Sequence, residues 1–174
     1  MRNLFDIDLH DYPEDGVRSV RPSYRAIIIR DGKIYMVHSL KYDYYKFPGG
    51  GREEGESPID TVIREVSEEA GLTVIPETVR EFGRVHRVQK GLFEDIFDQE
   101  NFYYLCTVTD GSTEQRLDSY EAEERFTLEL VDPAVAIATN RTPDTSKDRS
   151  VMREREARVL EILIREGYFS ETAK

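Results

Sequence analysis

A chain of 174 residues is long enough for one domain with a substantial core, and its 35 Asp+Glu against 24 Lys+Arg leave a formal net charge of −11. That excess of negative charge disfavours non-specific binding to nucleic acid or to an anionic membrane surface. It leaves room for a small anionic substrate whose charge is masked by a cation. A single cysteine, Cys106, rules out a disulfide within the chain, and one Cys with three scattered His builds no zinc site.

The opening residues, Met1 to Asp8, hold no apolar core of signal-peptide length, and no apolar run approaches the length that crosses a membrane. The expectation is a soluble, cytoplasmic protein with no membrane partner. Residues 1–23 read as an N-terminal extended segment. Leu4, Asp6 and Asp8 alternate weakly with Phe5, Ile7 and Leu9 before Pro13 and Gly16 turn the chain. The pattern suits an edge strand or an arm against another subunit, and does not choose between them. Residues 24–174 read as one domain.

Tyr24 to Arg30 is a strand whose nearly continuous apolar run, Ala26-Ile27-Ile28-Ile29, predicts burial on both faces. Asp31-Gly32 is a two-residue hairpin signal, and Lys33 to Leu40 the returning strand. Tyr42 and Tyr44 then fall on one strand face and Tyr45 on the other, a packing set or, on one face, a base-stacking set. Phe47-Pro48 leads into Gly49-Gly50-Gly51, where the backbone can approach a ligand closely.

The next stretch organises the rest. Ser57 is a good N-cap, with Pro58 at the first helical position and Asp60 three residues after the cap. Gly71 stands where a left-handed C-cap belongs. A helix over 58–70 places Ile59, Val62, Ile63, Val66 and Ala70 on one apolar stripe, and Glu65, Glu68 and Glu69 together on another face. Three carboxylates so spaced repel one another. They are either a solvated acidic face or oxygen ligands for a hard cation that removes the repulsion.

Residues 50 to 72 decide between these. They read G-x5-E-x7-R-E-U-x-E-E-x-G-U with U aliphatic, filled by Gly50, Glu56, Arg64, Glu65, Val66, Glu68, Glu69, Gly71 and Leu72. This resembles the Nudix box, the sequence motif of the Nudix hydrolase family. The resemblance implies Mg²⁺ (or Mn²⁺) held by Glu65, Glu68, Glu69 and a glycine carbonyl, Gly49 or Gly50 by position. Glu69 maps to the family's most regular ligand. Arg64 is implied as an orienter paired with Glu56. The general base is implied to be Glu65 or Glu68, or a glutamate recruited from a downstream loop, here Glu100, Glu121, Glu123 or Glu124.

Beyond the box, Thr73 to Ile75 is a short strand and Val79 to Gln89 a longer one with a bulge or kink at Gly83. Arg84, His86, Arg87 and Lys90 make it locally basic. These residues are either solvated or, for the arginines, shaped for phosphate; His86 is a weak candidate base without an evident orienting partner. Gln99 to Thr109 is an aromatic-rich strand, turned by Asp110-Gly111-Ser112. Residues 114 to 125 are strongly polar and read as a mobile loop. Arg125 to Val131 is a strand, Asp132-Pro133 caps a helix over Ala134–Thr139, and Ser150 to Gly167 is an amphipathic helix with Met152, Val159, Leu160, Leu163 and Ile164 as its buried stripe.

Strands, helix, strands and helix in this order predict an α/β fold with a mixed β-sheet between helices, which is the Nudix-type α/β/α sandwich. The activity that the resemblance implies is Mg²⁺-dependent hydrolysis of a nucleoside diphosphate linked to another moiety (a nucleoside triphosphate, nucleotide sugar or ADP-ribose type), by attack of water on phosphorus. The alternative is a non-catalytic Nudix module that binds a nucleotide-like effector as a sensor. The partner expected is a small-molecule nucleoside diphosphate derivative rather than nucleic acid, with a homodimer possible as in other Nudix enzymes. Substrate markers give little help. No proline stands about sixteen residues past the box, where ADP-ribose hydrolases often carry one, and Cys106 lies in the wrong place for the isomerases that share the fold.

Overall fold

The computed structural model describes residues 1–112 and 114–170. Residues 171–174, the end of the expected domain, lie outside them. In chain order the elements are β1 (Asn3–Asp8), β2 (Arg18–Val20), β3 (Ser23–Ile27), β4 (Ile29–Arg30), β5 (Lys33–Ser39), β6 (Tyr44–Lys46), β7 (Gly49–Gly51), α1 (Pro58–Ala70), β8 (Leu72–Val74), β9 (Arg80–Lys90), β10 (Ile96–Leu105), β11 (Val108–Ser112), α2 (Ser119–Glu124), β12 (Phe126–Val131), α3 (Pro133–Asn140) and α4 (Lys147–Arg165), with a single 3₁₀ turn at Pro76–Thr78.

The main sheet is six-stranded and mixed, in the order β1-β9-β10-β3-β7 with β2 also on β10. β1 takes the edge, parallel to β9. A second sheet joins β12, β5 and β4, with β6 on β5. Strand β3 is buried throughout, and its two faces serve two cores. Ile27 packs with Val159, Leu160 and Leu163 of α4, while Tyr24, Ala26 and neighbouring Ile28 pack with Val62, Val66 and Ala70 of α1. The mixed sheet between helices is the architecture that the strand and helix order predicted. Asp31 and Gly32, at φ 50° and 71°, make the expected hairpin. The bulge in β9 falls where Tyr103 faces Gly83 and Tyr104 faces Glu81. No described helix is long and apolar enough to cross a membrane.

The strand expected over residues 99–109 is two, β10 and β11, the second running through the expected turn at 110–112, and Ile59 and Ile164, expected in the buried stripes of their helices, are exposed. Three further segments differ from expectation. Tyr42 does not share a strand face with Tyr44: Asp43 is left-handed (φ 52°) and the strand begins only at Tyr44. Residues 114–125 are not all loop, because Asp118 and Glu121 form a capping box that starts α2. Helix α4 begins at Lys147 rather than Ser150, capped by the Ser146 hydroxyl, which accepts from Arg149 N.

Candidate active site

Helix α1 forms where its caps predict. The Ser57 hydroxyl accepts from Asp60 N–H, the Asp60 carboxylate accepts from Ser57 N–H, and Gly71 closes the helix at φ 62°. With Val62, Val66 and Ala70 fixed in the core, helical geometry leaves Glu65, Glu68 and Glu69 turned toward the glycine loop. Loop and helix fit closely. A Cβ on Gly50 would lie 2.6 Å from the Glu65 carboxylate, and one on Gly49 (φ 144°) would collide with the Tyr24 backbone. Glycine is needed at 49, where backbone is in the way, whereas at 50 a methyl group would push the Glu65 carboxylate aside.

Arg64 is the hub of the exposed side of this junction. Its Nε donates to Glu56 Oε1 at 2.6 Å, Nη2 to the Gly51 carbonyl at 2.9 Å, and Nη1 to Glu65 and Glu68 at 2.9 and 3.0 Å. The pairing with Glu56 is the expected one, and it holds the Glu56 carboxyl down at about 2. One guanidinium ties the loop to the helix and neutralises two of its carboxylates.

Glu69 lies deeper, 2% exposed. It accepts from Gly49 N–H at 2.9 Å and faces Lys46 Nζ at 2.5 Å. A buried carboxylate requires such partners. Lys46 is a site residue that sequence reading missed; the available signal was its place immediately before Phe47-Pro48-Gly49, at the start of the loop.

Of the four downstream glutamates, the structure brings one to this centre. Gln115 Nε2 donates to the Glu69 carbonyl and Arg116 N–H to the Glu68 carbonyl, so the chain closes the end of α1 before α2 begins. This places buried Glu121 beside Glu69. Burial first, and the Glu69 carboxylate second, hold the Glu121 carboxyl above its usual range. Burial likewise raises Glu65. The others are engaged elsewhere: Glu100 with Arg84, Glu123 with Lys41, and Glu124 with Tyr44 and Ser39. His86 sits on β9 against Asp98 at 2.7 Å, and Arg84 and Arg87 are paired with Glu100 and Asp148. Cys106 is buried, its thiol pushed up to about 12 by desolvation, and is inert packing.

Among the described residues no three acidic or imidazole side chains converge as a ready metal site; Arg64 and Lys46 offset only part of the carboxylate charge here. The donor set still suits a hard cation. It is all oxygen, burial raises two of its carboxyl groups, and its deepest member already holds a cation at 2.5 Å.

A 42% identical relative over 115 residues, covering 60% of this chain and 68% of that one, is the RNA pyrophosphohydrolase of Hydrogenovibrio crunogenus. The RNA pyrophosphohydrolase of Stenotrophomonas maltophilia is 24% identical over 115 residues, covering 60% of this chain and 55% of its own. This chain therefore spans little more than half the length of some curated relatives it matches. A solved NUDIX hydrolase from Nitrosomonas europaea shares the fold at 21% identity and a TM-score of 0.51, covering 79% of this chain and 89% of that one. The NUDIX domain model matches residues 20–154, a span that takes in the glycine loop, α1 and α2, and so the chain belongs to the NUDIX domain family.

Proposed function

We propose that this protein is a divalent-metal-dependent pyrophosphohydrolase acting on a nucleoside diphosphate linked to another moiety, with Mg²⁺ or Mn²⁺ held by Glu65, Glu68, Glu69 and the carbonyl of Gly50, and with Glu121 beside them. The observation that carries this reading is the set of four carboxylates gathered at the glycine loop, one of them nearly inaccessible to water and on Lys46. Structure for its own sake would replace such a set with apolar side chains at no loss of stability.

A bound divalent cation would screen the pyrophosphate charge and acidify a water molecule. The remaining work falls to the chain. Arg64 keeps the loop and the helix in register through Gly51 O and Glu56. Gly49 N–H and Lys46 fix the orientation of Glu69. Glu121 takes the proton from the attacking water: its proton affinity is raised, and its hydrogen bonds are with Tyr120 O–H and Asp118 N–H rather than with a cation. Lys46 is placed to move from Glu69 to a phosphate oxygen when the carboxylate engages a cation.

The names of the relatives support a second substrate reading, the 5′-triphosphate end of an RNA. The net charge of −11 weighs against a long RNA track. The test incubates the wild type and Glu69→Gln with Mg²⁺ and a panel of nucleoside triphosphates, sugar nucleotides, ADP-ribose, dinucleoside polyphosphates, coenzyme A and a 5′-triphosphorylated RNA, with chromatographic separation of the cleaved products as the readout. Hydrolysis of a small-molecule class by the wild type alone is expected. Cleavage of the RNA alone would move the substrate to the second reading. Silence across the panel by a folded protein would favour the non-catalytic sensor.

A further inference from the structure

On the α4 side of the main sheet, a cavity of about 330 Å³ opens between β10, the loop over residues 91–95 and the first turns of α4. Five arginines line it, Arg21, Arg25, Arg87, Arg149 and Arg155, against three carboxylates. The charges are close to balanced, because Arg21 faces Glu94, and Arg149 and Arg155 have Asp144 and Glu156 as partners beside the cavity. Arg25, Arg87 and Arg155 are 8%, 3% and 0% exposed. Buried guanidinium groups are costly unless each is paired. Arg87 has Asp148 at 2.5 Å and Arg155 has Glu156 at 2.5 Å. Arg25 has no carboxylate partner among the described residues. Its Nε reaches Asn101 Oδ1 at 3.4 Å and its Nη1 donates to the Phe47 carbonyl at 3.2 Å, while among the described residues its Nη2 donates no hydrogen bond; its charge still helps Arg155 to hold the Glu156 carboxyl down.

The cavity adjoins the acidic centre. Arg25 pairs across the sheet with Gly49 and holds the carbonyl of Phe47, two residues before the glycine whose N–H binds Glu69. Tyr44 and Glu124, which also line the cavity, lie two residues from Lys46 and three from Glu121. Tyr44 links the two: it lines the cavity, and the Glu69 carboxylate adds to the rise that burial and Glu124 impose on its phenol. The mutual repulsion of the arginines is already visible: burial foremost, with Arg155 and Arg25 adding to it, pushes Arg87 down to about 10 despite Asp148.

We propose that this cavity is an oxyanion subsite centred on Arg25, which receives a phosphate monoester or carboxylate carried by the substrate away from the bond that is cut. The substrate is then a nucleoside diphosphate derivative with an additional anionic group, bound by guanidinium forks. This rests on the hydrolase reading above for the identity of the substrate, and on the cavity alone for the binding of the anion.

The first experiment titrates metal-free protein, in a chelator, with inorganic phosphate and separately with acetate. The comparison is by calorimetry for wild type, Arg25→Gln and Arg25→Lys. Saturable binding of at least one anion to the wild type is expected, weakened about tenfold or more in Arg25→Gln and recovered in part by Arg25→Lys. Equal binding to wild type and Arg25→Gln, or none to wild type, overturns the subsite. Should Arg25→Gln fail to fold, the ¹⁵N guanidinium resonances of the wild type decide: a shift of the Arg25 signals on adding anion supports the subsite, and unmoved signals overturn it. The second experiment compares kcat/KM within two matched pairs, coenzyme A against dephospho-coenzyme A and UDP-glucuronate against UDP-glucose. A preference of about tenfold or more for the anionic member of one pair is expected, and it names the oxyanion. Ratios near one in both pairs overturn the inferred substrate class. Arg25-dependent anion binding without hydrolysis of any compound would leave the subsite standing and remove the hydrolase reading. Hydrolysis without Arg25-dependent binding would do the reverse.

Discussion

Helices α1 and α4 flank the same strand, β3, and each reaches the same loop with a buried carboxylate. Helix α1 presents carboxylates, and buried Glu69 takes the N–H of Gly49. Helix α4 carries a buried glutamate too, but Glu156 takes the N–H of Phe47 and lies against Arg155 and Tyr103 O–H. Two residues apart, the loop is thus tied down from both faces of the sheet. The difference lies in what surrounds each carboxylate. Glu156 is matched by a fully buried guanidinium and two further donors, so its charge is neutralised in place. Glu69 has Glu121 beside it, and its cation is a lysine on a flexible stem. The first arrangement holds a structure. The second is the kind that a metal ion completes.

The largest effect should come from breaking the α4 side. Glu156→Ala strands Arg155 without a carboxylate in a dry core and frees the Phe47 N–H, at a cost of about 3–5 kcal/mol; urea denaturation should show it as a lower midpoint. Next comes the α1 side, where Glu69→Gln should lower kcat about a hundredfold or more while leaving the urea midpoint closer to wild type than Glu156→Ala does. If both variants proved equally destabilised and equally inactive, the contrast between the two helices would fail.

Gly50→Ala sharpens the comparison on the loop itself. The added methyl must displace the Glu65 carboxylate, and a loss of about tenfold in kcat/KM is expected from the misplacement. The smallest effect belongs to Asp144 at the start of α4. Arg149 foremost, and Arg153 with it, hold Asp144 at about 2, below its ordinary 3.8. A depressed carboxyl contributes stability above its unfolded value and loses it as the pH falls through its folded one. Wild type should therefore lose stability between about pH 4 and about pH 2, and thermal melts of Asp144→Asn should show a shallower decline over that interval.

The two helices also differ in how much of them was legible in the sequence. Helix α1 was read nearly residue for residue, because its caps, its apolar stripe and its charged face fall on separate positions. Helix α4 was half read. Val159, Leu160 and Leu163 gave its buried stripe, but Arg153, Arg155 and Glu156 are equally buried, and periodicity counts every charge as solvent-facing. The partners that reverse that rule for Arg155, Asn101 and Glu156, come in part from a strand 54 residues away. The same limit hid Glu121 among four glutamates and Lys46 among the loop residues. Each is selected by a long-range contact, the closing of the end of α1 by Gln115 and Arg116 in one case and the depth of Glu69 in the other.

The central claim is that the α1 carboxylates, led by Glu69, form a divalent-cation site. The most direct measurement is a Mn²⁺ titration of the metal-free protein read by electron paramagnetic resonance, wild type beside Glu69→Gln. The account predicts a bound Mn²⁺ in wild type and affinity at least about tenfold weaker in the variant. Equal affinity in the two proteins would contradict it.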